Sequence, residues 1–134
     1  MSGSALQRTL VAALVYFAVV FAAGFVFGTI RTLLLVPRIG ALPAVMIEAP
    51  LILAVSWLVC GRVLTHWAVP PQWPWRLLMS ATAFGLLIAA EMTLARVLNG
   101  SSPAQFLASY ATAAAKLGLA AQLLFATLPL LRRR

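Results

Sequence analysis

The sequence predicts an all-α membrane protein, a four-transmembrane-helix bundle running up-down-up-down. Three observations predict it. The 134-residue chain is 63% apolar and only 9% charged, against about 45–50% and about 25% in typical soluble domains. Its apolar residues fall into four runs, each long enough for the roughly 20 residues that cross a hydrocarbon core. Short segments rich in Pro, Gly, Asn and Ser separate those runs and carry turn chemistry. The length holds one integral membrane domain, residues 1–134, with no room for a second.

The first span covers residues 9–36. Arg8 followed by an apolar run resembles a signal peptide, but the run continues from Leu10 to Val36. A signal core is only about 7–15 residues long, so a retained span is expected. Pro37-Arg38-Ile39-Gly40 then supplies a turn, and Pro43 suits the first turn of a second helix over residues 41–64. Pro50 lies inside that span and is expected to kink it. Pro70, Pro71 and Pro74 argue against a helix in the following segment. Trp67, Trp73 and Trp75 in the same stretch suit the headgroup level of a bilayer. The third span covers residues 77–98. After the turn residues 99–102, Ser102 reads as an N-cap and Pro103 as a first helical position. The fourth span covers residues 104–131.

Ten Lys/Arg against two acids give a net charge of +8. The basic residues punctuate apolar runs instead of forming a soluble basic face, so the partner they imply is the lipid bilayer and not nucleic acid. Arg8, Arg62, Arg76, Arg132, Arg133 and Arg134 fall on the side of the termini and the middle loop; Arg38 and Arg96 fall on the other, with Arg31 set deeper. This asymmetry predicts a multi-pass protein of a cell inner membrane with both termini cytoplasmic. Cys60 is the single cysteine, His66 stands alone, and the chain has no Asp. Those residues offer no disulfide, metal site, cofactor or catalytic set.

Four ionisable residues interrupt the spans: Arg31, Glu48, Glu91 and Lys116. Each costs about 2.5–3.5 kcal/mol at a helix centre on insertion scales, so each needs a partner, water or loss of charge. At 1.5 Å per residue, Arg31 lies about 9 Å and Glu48 and Glu91 about 12 Å from the same membrane face, with Lys116 about 20 Å deep. Two cations and two anions sum to zero, so the set can neutralise itself. Gly24, Gly28 and Arg31 share one helical face, whose small residues suit helix packing. Gln105, Ser109, Thr112 and Lys116 fall on one face of the fourth span, a polar stripe expected to look inward. Two readings follow: a structural lock, or a cavity for an ion, proton or small polar solute.

The strings Gly28-Thr29-Ile30-Arg31, Val36-Pro37-Arg38, Ile47-Glu48-Ala49-Pro50 and Ala90-Glu91 resemble a family of small uncharacterised four-helix bacterial inner-membrane proteins. The resemblance implies four helices and no activity. The first expectation for function is a structural or accessory subunit of a larger membrane complex or homo-oligomer. The second is a small transporter or channel using the charged layer, and the third a membrane enzyme.

Overall fold

A computed structural model describes residues 2–132; Arg133 and Arg134, two of the predicted topogenic arginines, lie outside the described residues. The elements are α1 (Ser2–Ile30), a π-helical segment (Arg31–Leu35), α2 (Val36–Ile39), α3 (Ala41–His66), α4 (Trp73–Asn99), α5 (Pro103–Ala108), a 3-10 turn (Ser109–Ala111) and α6 (Ala113–Leu131). Four helical stretches are long and apolar enough to cross a membrane: Ser4–Ile39, Ala41–His66, Trp73–Asn99 and Ala113–Leu131.

Three boundaries differ from the sequence reading. The first helix does not stop before Pro37. Pro37 has no N–H for the Leu33 carbonyl, and the chain adapts by widening into the π segment, where Val36 N–H donates to Arg31 O. The helix ends at Gly40, whose φ of 89° is open to glycine and strained for other residues. The third helix starts at Trp73, because Pro74 sits in its first turn, where a missing N–H costs nothing. The fourth long helix starts at Ala113, not residue 104. Ser102 does cap a helix, in a reciprocal capping box with Gln105, but α5 is short. The backbone turns extended at Thr112, whose side chain caps the Ala115 N–H and starts α6 afresh.

α1 packs against α3 and α4, and α6 packs against the same two helices. The backbones of α1 and α6 do not approach each other, nor do those of α3 and α4. Residues 67–72 therefore connect two helices that are not neighbours. A core fills the space toward the 67–72 connection, built on Ala12, Ala13, Tyr16, Cys60, Met79 and Ala83, all fully buried. Alanine at these positions lets backbones come close.

Tyr16 closes the long diagonal between α1 and α6. Its ring stacks on Phe125 at 4.4 Å between centroids, and its hydroxyl donates to the Phe125 carbonyl at 2.6 Å. That carbonyl lacks its ordinary helical donor, because the residue four positions on is Pro129. The tyrosine supplies the missing hydrogen bond.

Arg76 does the same at the end of α6. It is 3% exposed. Its Nε donates to Pro70 O and its Nη1 to Pro129 O, each at 3.1 Å, and also to Arg132 O. These are carbonyls of the 67–72 connection and of the C-terminal turn of α6, which a helix cannot satisfy internally. Arg132 lies over the Trp57 ring at 4.3 Å. Two arginines that sequence arithmetic assigned to topology thus also hold this end of the molecule together. Trp67 and Trp75 pack partly buried on the core, while Trp73 is exposed. Exposed leucines, valines and isoleucines cover the outward helix faces, an apolar surface suited to lipid.

Candidate functional site

Beyond the core, toward the Gly40 and Ser101 turns, the helices part around a partly open cavity of about 650 Å³. All four long helices line it. Gly24 and Gly28 are on its wall. A Cβ at Gly24 would meet only Ile52 Cδ1 at 3.8 Å, and one at Gly28 only Arg31 Nη2 at 3.4 Å. The glycine face therefore makes room for the cavity, in addition to any packing role. A second cavity of about 440 Å³ lies against α5, the 3-10 turn and the start of α6. Arg31, Glu91 and Gln122 line both.

Arg31 Nη1 donates to Glu48 Oε1 at 2.5 Å, forming an ion pair whose side chains are 32% and 13% exposed. Arg31 is the first residue of the π segment, a feature that recurs at functional sites. Glu91 makes a different contact: its Oε2 accepts from Gln122 Nε2 at 2.6 Å. Gln122 is neutral. Its own Oε1 is buried and has no hydrogen-bond partner.

Three of the four charges anticipated from sequence, Arg31, Glu48 and Glu91, line the larger cavity. Lys116 does not. It is exposed, and its N–H bonds to the Thr112 carbonyl in the first turn of α6. The expected depth of about 20 Å assumed a helix running unbroken from Pro103; the restart at Thr112 removes it. The same break interrupts the polar stripe, of which Ser109 and Thr112 line the second cavity. Gln105, Ser109 and Thr112 are exposed. Each also makes a local bond: Gln105 with Ser102, Ser109 with the Phe106 carbonyl, and Thr112 with the Ala115 N–H.

The charge balance changes accordingly. Without Lys116, one arginine faces two glutamates in the cavity wall. The wall is otherwise mainly apolar and includes Phe21, Phe25 and Phe125. Among the described residues no group of three His, Cys, Asp or Glu comes together to hold a metal ion.

Gln122 is a cavity residue that the charges in the sequence did not point to. Its spacing from Gly118, one helical turn, was the available signal, since both line the cavity. No protein family, curated protein or solved structure matches the chain.

Proposed function

We propose that the chain is a small inner-membrane protein of transporter type that binds a small solute in the intramembrane cavity. It forms an up-down-up-down bundle with both termini cytoplasmic, as the basic-residue asymmetry favours. The observation that carries the reading is a cavity of about 650 Å³ lined by Arg31, Glu48 and Glu91. That volume lies within the roughly 300–1,000 Å³ of small-molecule sites, and intramembrane ionisable groups mark solute and proton paths.

Single cysteines test it in a Cys60→Ala background, with a charged, membrane-impermeant maleimide added from either side of oriented vesicles. Cysteines at Ala49 and Leu94, on the cavity wall, react from one side or both. Cysteines at the outward Leu58 and Leu124 stay unreactive. No labelling at the wall positions from either side overturns the reading. A C-terminal reporter active only outside the cytoplasm overturns the orientation.

A second reading, a structural or accessory subunit locked by its charges, is favoured by the 2.5 Å Arg31–Glu48 pair. It requires co-purifying partner subunits and wall cysteines that stay unreactive.

A further inference from the structure

The chemistry of the cavity wall selects among solutes. An anion meets two glutamates and an arginine already engaged by one of them. A neutral solute leaves Glu91 without a counter-charge in an apolar surround, which is costly unless the group is protonated. An inorganic cation needs several oxygen ligands, and the carboxylates do not cluster with a third acidic or other metal-binding residue. An organic cation meets a carboxylate, three phenylalanine rings and an apolar wall.

Gln122 narrows the choice further. It spends its Nε2 on Glu91, which leaves its Oε1 as a buried acceptor with nothing to accept from. Buried acceptors are ordinarily satisfied, and an orphan is costly. An acceptor next to a carboxylate matches a cation that carries N–H groups. A quaternary ammonium has none.

We propose that the cavity binds a protonated amine with an apolar or aromatic body, its charge held by Glu91 and an N–H taken by the amide oxygen of Gln122, which turns out of its buried position to accept it. The inference rests on the solute-binding reading above. The other titratable or charged groups facing Glu91 are Arg31, Glu48 and Tyr110; α6 contributes only the neutral Gln122. Arg31 stays with Glu48 and Glu91 takes the ligand charge. Where Glu91 holds a proton in the empty cavity, the arriving cation displaces it, so at most one proton leaves per amine bound.

The test is calorimetric titration of the detergent-solubilised full chain with 2-phenylethylammonium and with its N,N,N-trimethyl analogue. The primary amine binds at least tenfold more tightly than the quaternary one. Glu91→Gln abolishes binding. Gln122→Leu leaves an acidic, apolar cavity and reduces the tenfold preference to about parity. Gly24→Leu, which pushes a side chain into the cavity, weakens both ligands. Circular dichroism and a thermal melt establish that each variant is folded; should Glu91→Gln fail to fold, the Gln122→Leu preference decides alone. Equal affinity for both cations, or binding indifferent to Glu91→Gln in folded protein, overturns the proposal. No binding to a chain whose wall cysteines react with maleimide overturns the amine assignment and leaves the cavity standing. Unreactive wall cysteines remove the cavity reading itself.

Discussion

The two ends of the helix assembly solve the same problem in opposite ways. Toward the 67–72 connection, long side chains answer backbone carbonyls that the helices leave open, although the Thr9 and Ser80 hydroxyls and Arg8 Nε are buried there without a hydrogen-bond partner. Tyr16 answers the carbonyl freed by Pro129, and Arg76 answers carbonyls of the connection and of the α6 terminus. Toward the Gly40 and Ser101 turns, it is charged side chains that stand around open space. Arg31 holds Glu48, but Glu91 leans on a neutral amide whose oxygen has no partner. One end uses its polar side chains to close the fold. The other keeps them in a cavity. The difference separates polar groups that join helices from charged groups that line a cavity.

Mutations at the two ends should separate in the same way. The largest effect is expected at Arg76. Arg76→Ala leaves at least two carbonyls without their donor in the closed end, and removing one side of a buried, charge-assisted network costs about 3 kcal/mol. Unfolding in a denaturing detergent titration measures it; a loss below about 1 kcal/mol breaks the contrast. Glu48→Gln is next, at about 1–3 kcal/mol, because its pair is neither fully buried nor fully exposed. The same titration should show Arg76→Ala exceeding it.

Tyr16→Phe is expected to cost about 1 kcal/mol for one hydrogen bond between helices. Its sharper version is a double-mutant cycle. Pro129→Ala restores a backbone donor for Phe125 O, so Tyr16→Phe in that background should cost measurably less. Equal costs in both backgrounds would show that the proline and the tyrosine are not coupled. The smallest effects separate two glycines. A Cβ at Gly61 collides with the Arg132 guanidinium and pushes it from Trp57, so Gly61→Ala costs about 0.5–1 kcal/mol. Gly24→Ala faces open cavity and should be close to neutral.

The sequence made the four spans legible because hydropathy and turn residues agree there. The Ser102–Pro103 cap was legible for the same reason: a capping side chain followed by proline has a single local meaning. The second cap, Thr112 before a run of alanines, was hidden by the 3.6-residue spacing of Gln105, Ser109, Thr112 and Lys116. A periodicity argument assumes an unbroken helix, and one extended residue voids it. Arg31, Glu48 and Glu91 stood out as charges in apolar spans. The Glu91–Gln122 contact did not, since it joins residues 31 positions apart and depends on the restart of α6. Arg76 was hidden by its own type: an arginine at a span end reads as topology, and only three-dimensional packing shows which carbonyls it serves.

The Tyr16 bond also sets an order of assembly. Its two partners are separated by 109 positions in the chain, and chains emerge from the N-terminus. The Tyr16 hydroxyl on α1 is made before its acceptor on α6, and Arg76, which can already bond Pro70 O, gains its α6 carbonyls only later. The closed end of the molecule therefore completes only when the last helix arrives. A chain halted before α6 lacks the acceptor of the Tyr16 hydroxyl and the Pro129 and Arg132 carbonyls that Arg76 serves.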